Sequence, residues 1–216
     1  MVNWGMVIDL KRCIGCYSCT IACKQEHFLP PGIFWNRLLI GETGNYPSVS
    51  KQIYPVSCNH CKEAICVKVC PTRATTKRKD GIVVVDPDKC VGCRYCIVAC
   101  PYQQRSYHAD GEKEYFPGQG LTEYENIGRQ LYPLQVHTTV KCNFCQERID
   151  KGLGSGLKPG VDREATPACV ITCPTKARIF GDLDDPESEV SFLIKEKNGF
   201  TLHPEYGTQP SIFYVT

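Results

Sequence analysis

The sequence predicts an α+β fold built from two small modules with loop insertions, and it favours a nested arrangement of the modules over an adjacent one. Three observations carry this prediction. The 216 residues include 16 cysteines, which fall into four runs of four. Short strand-like segments lead into the runs or follow them. The runs also alternate between two types along the chain, which indicates that one unit has been duplicated.

The third run indicates the chemistry of these cysteines. It reads Cys90-Val-Gly-Cys93-Arg-Tyr-Cys96-Ile-Val-Ala-Cys100-Pro101, with the spacing C-x2-C-x2-C-x3-C-P. Three cysteines spaced in this way hold three corners of an iron–sulfur cubane, and the fourth ligates the neighbouring cluster in two-cluster ferredoxins. The proline suits a sharp change of chain direction. We therefore expect ferredoxin-like modules of the bacterial two-cluster type.

Composition and charge argue against several other classes of protein. An even cysteine count also fits disulfides, and zinc sites use cysteine, but tight groups of four suit cluster chelation better. The formal net charge of +2 indicates neither a nucleic-acid partner nor an acidic tail. No stretch approaches eighteen apolar residues, so we expect no membrane span. The N-terminus lacks the pattern of a signal peptide.

The first run repeats the third. Residues 6–9 resemble a short strand and lead into Cys13-Ile-Gly-Cys16-Tyr-Ser-Cys19-Thr-Ile-Ala-Cys23. Both runs carry glycine between their first two cysteines, where the missing Cβ permits a tight turn or lets backbone N–H groups approach a cluster sulfur. Residues 24–57 are an insertion. We expect its apolar residues at 34–40 to pack in the core, with a strand or a docking surface as the alternatives.

The second run has a wider middle loop. It reads Cys58-Asn-His-Cys61-Lys-Glu-Ala-Ile-Cys66-Val-Lys-Val-Cys70-Pro71. We expect His60 to face solvent and not to bind metal, because four cysteines already complete the set. Residues 72–89 then read as a strand, a turn at Asp80-Gly81 and a second strand. This predicted hairpin joins the second run to the third.

The fourth run is split by a loop. Cys142-Asn-Phe-Cys145 and Cys169-Val-Ile-Thr-Cys173-Pro174 flank glycine-rich residues 152–156. These glycines match no phosphate-binding motif, and we expect a flexible connection there. Residues 102–141 are a polar and aromatic insertion, in which Gly118 and Gly120 break any long element. Basic residues outside the runs are expected to form a solvated face or to steer a partner: Lys77, Arg78, Lys79 and Arg105.

Each two-cluster module needs two runs that exchange their fourth cysteines. Runs one and three share Cys-x-Gly-Cys, whereas runs two and four share Cys-Asn-x-Cys and the ending Cys-Pro-Thr-x-Ala. The short hairpin favours pairing runs two and three, with runs one and four paired around them. The alternative pairs run one with two and run three with four. The nested form predicts an outer module of residues 1–57 plus 141–216, an inner module of residues 58–102 and an insertion of residues 103–140.

Features beyond the cysteine spacing resemble one family. They are the strand-Asp-basic-Cys segments, Pro167-Ala-Cys169 and the tail Phe180-Gly-Asp-Leu-Asp-Asp-Pro186. Over nearly its whole length the chain is similar to the four-cluster iron–sulfur subunits of molybdenum or tungsten pterin oxidoreductases, the dimethyl sulfoxide reductase family. Close relatives include the electron-transfer subunits of polysulfide, thiosulfate, tetrathionate and arsenate reductases and of phenylacetyl-CoA:acceptor oxidoreductase.

The resemblance implies the nested pairing and four [4Fe–4S] clusters. All four quartets are complete, so no three-iron cluster is expected. Formate dehydrogenase subunits often carry a C-terminal membrane helix, which this sequence does not show, so we expect a different branch. The implied ligand sets are Cys13, Cys16, Cys19 and Cys173; Cys142, Cys145, Cys169 and Cys23; Cys58, Cys61, Cys66 and Cys100; and Cys90, Cys93, Cys96 and Cys70.

The expected function is electron transfer, with no catalytic residues in this chain. A row of cubanes passes electrons, and burial, local charge and hydrogen bonds to sulfur tune their potentials. The resemblance implies a large catalytic subunit with bis-pterin molybdenum or tungsten, and a membrane quinone-reactive subunit or soluble carrier. We therefore expect membrane association through partners, on an undetermined side. The alternatives are a free-standing polyferredoxin, which would purify alone, and a hydrogenase- or formate-dehydrogenase-associated subunit, which nickel or a formate-oxidising partner would reveal.

Overall fold

The computed structural model describes residues 2–109 and 114–216, which contain nine strands and seven α-helices. The strands are β1 Trp4–Asp9, β2 Asn36–Asn45, β3 Ser48–Ser57, β4 Thr75–Lys77, β5 Val83–Val85, β6 Ser106–His108, β7 Thr138–Val140, β8 Arg178–Asp182 and β9 Ile212–Val215. The helices are α1 Ser18–Glu26, α2 Ile65–Lys68, α3 Tyr95–Val98, α4 Glu123–Leu131, α5 Gln146–Gly154, α6 Ala168–Ile171 and α7 Glu189–Glu196. The mixed α and β content agrees with the predicted fold class.

The strand predicted at residues 6–9 is the centre of the largest sheet. All six residues of β1 are buried, with β8 antiparallel on one side and β9 parallel on the other. Because successive side chains of a strand point to opposite faces, Met6 and Ile8 pack in one apolar cluster and Val7 in another, together with Val190 of α7. The strand is therefore held from both faces.

A helix lies in the last part of each cysteine run, and the residue after the run limits the length of that helix. Helices α2, α3 and α6 have four residues each, and their runs end in Cys-Pro. A residue before proline is disfavoured in the helical region, so these helices stop within the run. The first run has Lys24 in place of proline, and α1 continues to Glu26 with nine residues.

The strands pair in the same way in both halves of the chain. β4, which follows run two, pairs antiparallel with β5, which precedes run three. β8, which follows run four, pairs antiparallel with β1, which precedes run one. The antiparallel pair β2–β3 separates runs one and two, and the pair β6–β7 separates runs three and four. The predicted hairpin at residues 72–89 is thus confirmed as one of these equivalent pairs.

The insertion at residues 24–57 forms the longest hairpin, and most of it lies outside the core. Trp35 is buried, whereas Phe34, Leu39 and Ile40 are exposed. The expectation that residues 34–40 pack in the core is therefore wrong for these three, although the strand alternative is confirmed by β2. A two-stranded ribbon that projects from a small domain has no second layer to cover its faces.

The glycine-rich segment 152–156 is not the flexible connection that the sequence indicates, because α5 continues through Gly154. Gly152 faces Ala165 so closely that an added Cβ would lie 2.3 Å from the Ala165 Cβ atom. Glycine is required here for close packing of the loop on the helix. Insertion 102–141 also contains a helix, α4, which begins with a capping box between Thr122 and Glu125. Residues 110–113 of that insertion lie outside the described residues.

Candidate metal centres

The sixteen cysteines are grouped around four places, which we number as sites. Three of them are small cavities, at sites 1, 2 and 4. Site 1 is lined by Cys13, Cys16, Cys19 and Cys173, site 2 by Cys23, Cys142, Cys145 and Cys169, and site 4 by Cys70, Cys90, Cys93 and Cys96.

Site 3 is defined by the electrostatic neighbours of one thiol. Burial raises the pKa of Cys61 to about 11, and the nearby thiols of Cys58, Cys66 and Cys100 act in the same direction. These four cysteines form site 3. The structure thus brings together, in four sets, the cysteines that the family resemblance groups.

The arrangement fits a multi-iron cluster. Within residues 2–109 and 114–216, no group of three or more His, Cys, Asp or Glu side chains is close enough to hold a single metal ion. Zinc draws its four ligands to about 2.0–2.3 Å from one centre, whereas a cubane places each thiolate on a different iron. The cysteines that line the cavities of sites 1, 2 and 4 from several sides suit the second case.

Buried thiols need a strong positive charge to ionise. Burial raises the pKa of Cys142 to about 12, with the thiols of Cys169 and Cys58 contributing further. The pKa values of Cys23 and Cys145 are also raised, again mainly by burial. Since cluster ligands are thiolates, uptake of iron at site 2 must displace protons.

Backbone N–H groups already point at several of these sulfurs. The Thr75 N–H donates to Cys70 Sγ at 3.4 Å, and the Ala177 N–H donates to Cys173 Sγ at 3.2 Å. Both donors lie at the Cys-Pro-Thr-x-Ala ending shared by runs two and four: Ala177 is its last residue in run four, and Thr75 directly follows it in run two. Hydrogen bonds to cluster sulfurs tune the reduction potential, so this shared ending has a function beyond turning the chain.

His27, which the sequence did not single out, lies against a predicted ligand. Its Nε2 atom is 3.3 Å from Cys145 Sγ, and its ring packs on Trp35 with centroids 4.5 Å apart. Burial, with a smaller contribution from Arg148, lowers the His27 pKa to about 3, so the imidazole is neutral. His27 directly follows the last residue of α1, four residues after Cys23. In this position it lies beside the sulfur of Cys145, which belongs to the fourth run.

His60 does not face solvent, so that prediction is wrong. Its side chain is fully buried, and Nδ1 accepts a hydrogen bond from the Val83 N–H at 3.0 Å. Its ring stacks on Phe144 with centroids 3.8 Å apart. His60 and Phe144 occupy the same place in runs two and four, between the paired cysteines of Cys-Asn-x-Cys. The repeat brings these equivalent residues together between sites 2 and 3. The matching positions of His60 and Phe144 in the two runs were the sequence signal for the burial of His60.

The prediction of a solvated basic face is wrong for Arg105, which is only 6% exposed. Its guanidinium donates to Thr75 Oγ1 at 3.3 Å, and Cys66 and Cys58 are among its electrostatic neighbours. Lys141 and Arg178 are also buried beside cysteines. Of the other basic residues named from the sequence, Lys77 and Arg78 are half-buried and Lys79 is exposed.

Four quartets of cysteine, with N–H donors and buried cations beside several of the sulfurs, define an iron–sulfur electron-transfer protein. Family comparison agrees: a family described as "4Fe-4S dicluster domain" matches residues 49–115, and one described as "4Fe-4S binding domain" matches residues 4–25. The chain carries four [4Fe–4S] clusters. Among the described residues, no helix is both long and apolar enough to cross a bilayer.

Individual relatives identify the family. The chain is 43% identical to a Halobacterium salinarum protein described as a dimethyl sulfoxide reductase iron–sulfur subunit, over 100% of this chain and 79% of the relative. It is 40% identical to a selenate reductase subunit of Mesobacillus selenatarsenatis, over 100% and 72%. It is 41% identical to the arsenate respiratory reductase iron–sulfur subunit ArrB of a Shewanella species, over 98% and 95%. The chain belongs to the family of iron–sulfur electron-transfer subunits of molybdopterin oxidoreductases.

Proposed function

We propose that sites 1 to 4 hold the four clusters in that order, as a relay between a catalytic subunit with bis-pterin molybdenum or tungsten and a membrane quinone-reactive subunit or soluble carrier. The chain is then membrane-associated through its partners. The observation that carries this proposal is the grouping of all sixteen cysteines into four neighbouring quartets. The descriptions of the relatives as subunits of reductases support a catalytic partner.

Electrostatic interactions between neighbouring sites support the linear order. The Cys19 thiol of site 1 contributes to the raised pKa of Cys23 in site 2, whose largest cause is burial. The Cys58 thiol of site 3 contributes in the same way to the raised pKa of Cys142 in site 2. Arg105 has cysteines of site 3 and of site 4, Cys96, among its neighbours. Each site therefore interacts electrostatically with the next one, or shares a charged neighbour with it, which supports placing sites 1 and 4 at the ends.

Exposure supports electron entry and exit at those ends. Of the sixteen cysteines, all within the described residues, Cys16 of site 1 and Cys93 of site 4 are the exposed ones. Ile14 and Val91, the residues after the first cysteines of the two runs, are also exposed. A cluster near the surface, surrounded by exposed apolar side chains, suits docking of a partner whose own cofactor must come close to that cluster for electron transfer. We assign one end to the catalytic subunit and the other to the second partner.

Two further observations support nested modules. The antiparallel pairs β4–β5 and β1–β8 join runs two and three, and runs one and four, in the same way. The dicluster match over residues 49–115 covers runs two and three together. We therefore propose residues 58–102 as the inner module, residues 1–57 plus 141–216 as the outer module, and residues 103–140 as an insertion.

Metal analysis of the native complex tests the function. The complex should be purified without oxygen through a tag on this chain. We expect iron to co-elute with molybdenum or tungsten and with a large subunit. Iron on this chain alone, after mild cross-linking of the cells has excluded loss of a partner, would contradict the relay proposal.

The ligand exchange between runs has a separate test. In the Cys23→Ser variant we expect the cluster of site 2 to be altered, although Cys23 belongs to run one, because its sulfur lines the site 2 cavity. The electron paramagnetic resonance (EPR) spectrum of the variant should therefore lose the same component as that of Cys169→Ser. Adjacent pairing would instead place Cys23 with run two, so that Cys66→Ser would be the match.

A double variant sharpens this comparison. If Cys23 and Cys169 share one cluster, Cys23→Ser with Cys169→Ser should lose no more iron than the single variant with the greater loss. If they serve different clusters, the two iron losses should add. Cys16→Ser serves as the control, since Cys16 lines site 1 and its loss should add to that of Cys23→Ser.

A further inference from the structure

Arg178, the first residue of β8, lies between two of the cluster sites. It lines the cavity of site 1. Its Nη1 atom also lies 3.9 Å from the Sγ atom of Cys169, which lines site 2. Cys169, Cys19 and Cys142 are among the groups that interact with its charge. One guanidinium therefore faces the thiols of two sites.

Apart from the sulfur of Cys169, the hydrogen-bond partners of Arg178 are neutral. Nη2 donates to Asn36 Oδ1 at 2.9 Å, and Nη1 contacts Met6 Sδ at 3.4 Å. Neither partner is a carboxylate, and Arg178 is only 3% exposed. An isolated buried charge strongly destabilises the folded state unless opposite charge compensates it. The thiolates and the clusters that they hold are the negative charges within reach.

On the basis of the ligand sets proposed above, we propose that Arg178 is the shared counter-charge of the clusters in sites 1 and 2. Its positive charge raises the reduction potentials of both clusters. A guanidinium stays charged at every physiological pH, so this is a constant field and not a switch. Reduction adds one negative charge to a cluster, which a nearby cation stabilises. Asn36 and Met6 position the guanidinium between the two sites.

Arg105 provides a matched comparison in the other half of the chain. It is buried, donates to Thr75 Oγ1 and has Cys66 of site 3 and Cys96 of site 4 among its neighbours. Thr75 begins β4 and Arg178 begins β8, which are equivalent strands of the two halves. Each half thus places one buried arginine beside a different pair of sites.

The test is an EPR-monitored redox titration of the intact complex with Arg178→Gln, Arg178→Lys and Arg105→Gln. Arg178→Gln should lower the potential of two of the four clusters, so that at a fixed potential their reduced-to-oxidised ratio falls at least about tenfold, or 59 mV for one electron. The other two clusters are internal controls. Arg178→Lys keeps the charge and should leave the ratio closer to that of the wild type. Arg105→Gln should shift the complementary pair.

Each outcome decides the proposal. Unchanged potentials in Arg178→Gln with all four clusters present would overturn it, as would an equal shift of all four clusters or an equal shift in Arg178→Lys. If Arg178→Gln loses two clusters while Arg178→Lys retains all four, the charge is needed to hold them and the proposal stands. If both variants lose clusters, Arg178 is structural and the proposal fails. The Cys23 experiment tests the ligand sets independently of these results.

Discussion

Replacing Cys145 by serine is expected to interrupt electron flow in the middle of the chain. Cys145 lines site 2 together with Cys23, Cys142 and Cys169, and site 2 has neighbours on both sides in the proposed order. Loss of an outer-shell partner alone typically costs about 10–100-fold in activity, so loss of a ligand should lower turnover of the complex more than about 100-fold. About a quarter of the iron should be lost, since one of four clusters is removed.

The measurement separates a broken relay from a damaged protein. Turnover with the physiological donor should collapse, whereas a small chemical reductant should still reduce the three remaining clusters, because it reaches either end. Ser155→Ala, at the end of α5 and exposed, is the control and should behave as wild type. Normal turnover in Cys145→Ser with three clusters would rule out site 2 as a necessary step.

Replacing Phe144 by alanine is expected to have the largest effect on stability. Phe144 is 1% exposed, stacks on His60 and packs edge-on against Phe180 with centroids 5.4 Å apart. Truncation of a buried phenylalanine lowers the free energy of unfolding by about 3–5 kcal/mol, because the cavity is only partly refilled. Phe144 also lies between Cys142 and Cys145, so water admitted there reaches the gap between sites 2 and 3.

Anaerobic guanidinium unfolding, followed by far-ultraviolet circular dichroism and by cluster absorbance, measures this loss. Phe192→Ala is the matched control, because Phe192 lies on α7 and is 58% exposed. It should change the free energy of unfolding by less than about 0.5 kcal/mol. Equal midpoints for the two variants would show that Phe144 does not anchor the core.

The elements nearest the cysteines could be predicted from sequence, because spacing and turn residues constrain them directly. The strand before Cys13 and the hairpin around Asp80-Gly81 lie where the sequence places them. Helix α4 was missed, although Thr122 and Glu125 form the Ser/Thr-x-x-Glu pattern of a capping box. That signal was available and outweighs the neighbouring glycines.

The buried polar residues could not be predicted in the same way. Arginine and lysine are almost never fully buried unless they are paired, so the sequence gives no reason to place Arg105 in the core. The negative charge that compensates the buried basic side chains belongs to thiolates and clusters. In the sequence these groups are cysteines, which count as neutral. His60 was assigned to solvent for a related reason, because its stacking partner lies in the other half of the chain.

The strand pairs β4–β5 and β1–β8 are equivalent. The two halves of the chain are therefore joined at both ends by the same kind of strand pair, and the topology resembles a closed ring. β4 continues into β5 through Asp80-Gly81, whereas β8 and β1 are joined by hydrogen bonds only, such as Leu183 N–H to the Asn3 carbonyl at 2.8 Å. In the nested arrangement proposed above, the position at which the ring is opened alone decides which module is the inner one. A circular permutant opened at Asp80-Gly81 would exchange the two modules and keep every strand pair. The linker between the original C-terminus and N-terminus has to span the length of β1, because Val215 of β9 pairs with Asp9, the last residue of that strand. The six residues of β1 extend over about 20 Å at roughly 3.3 Å per residue.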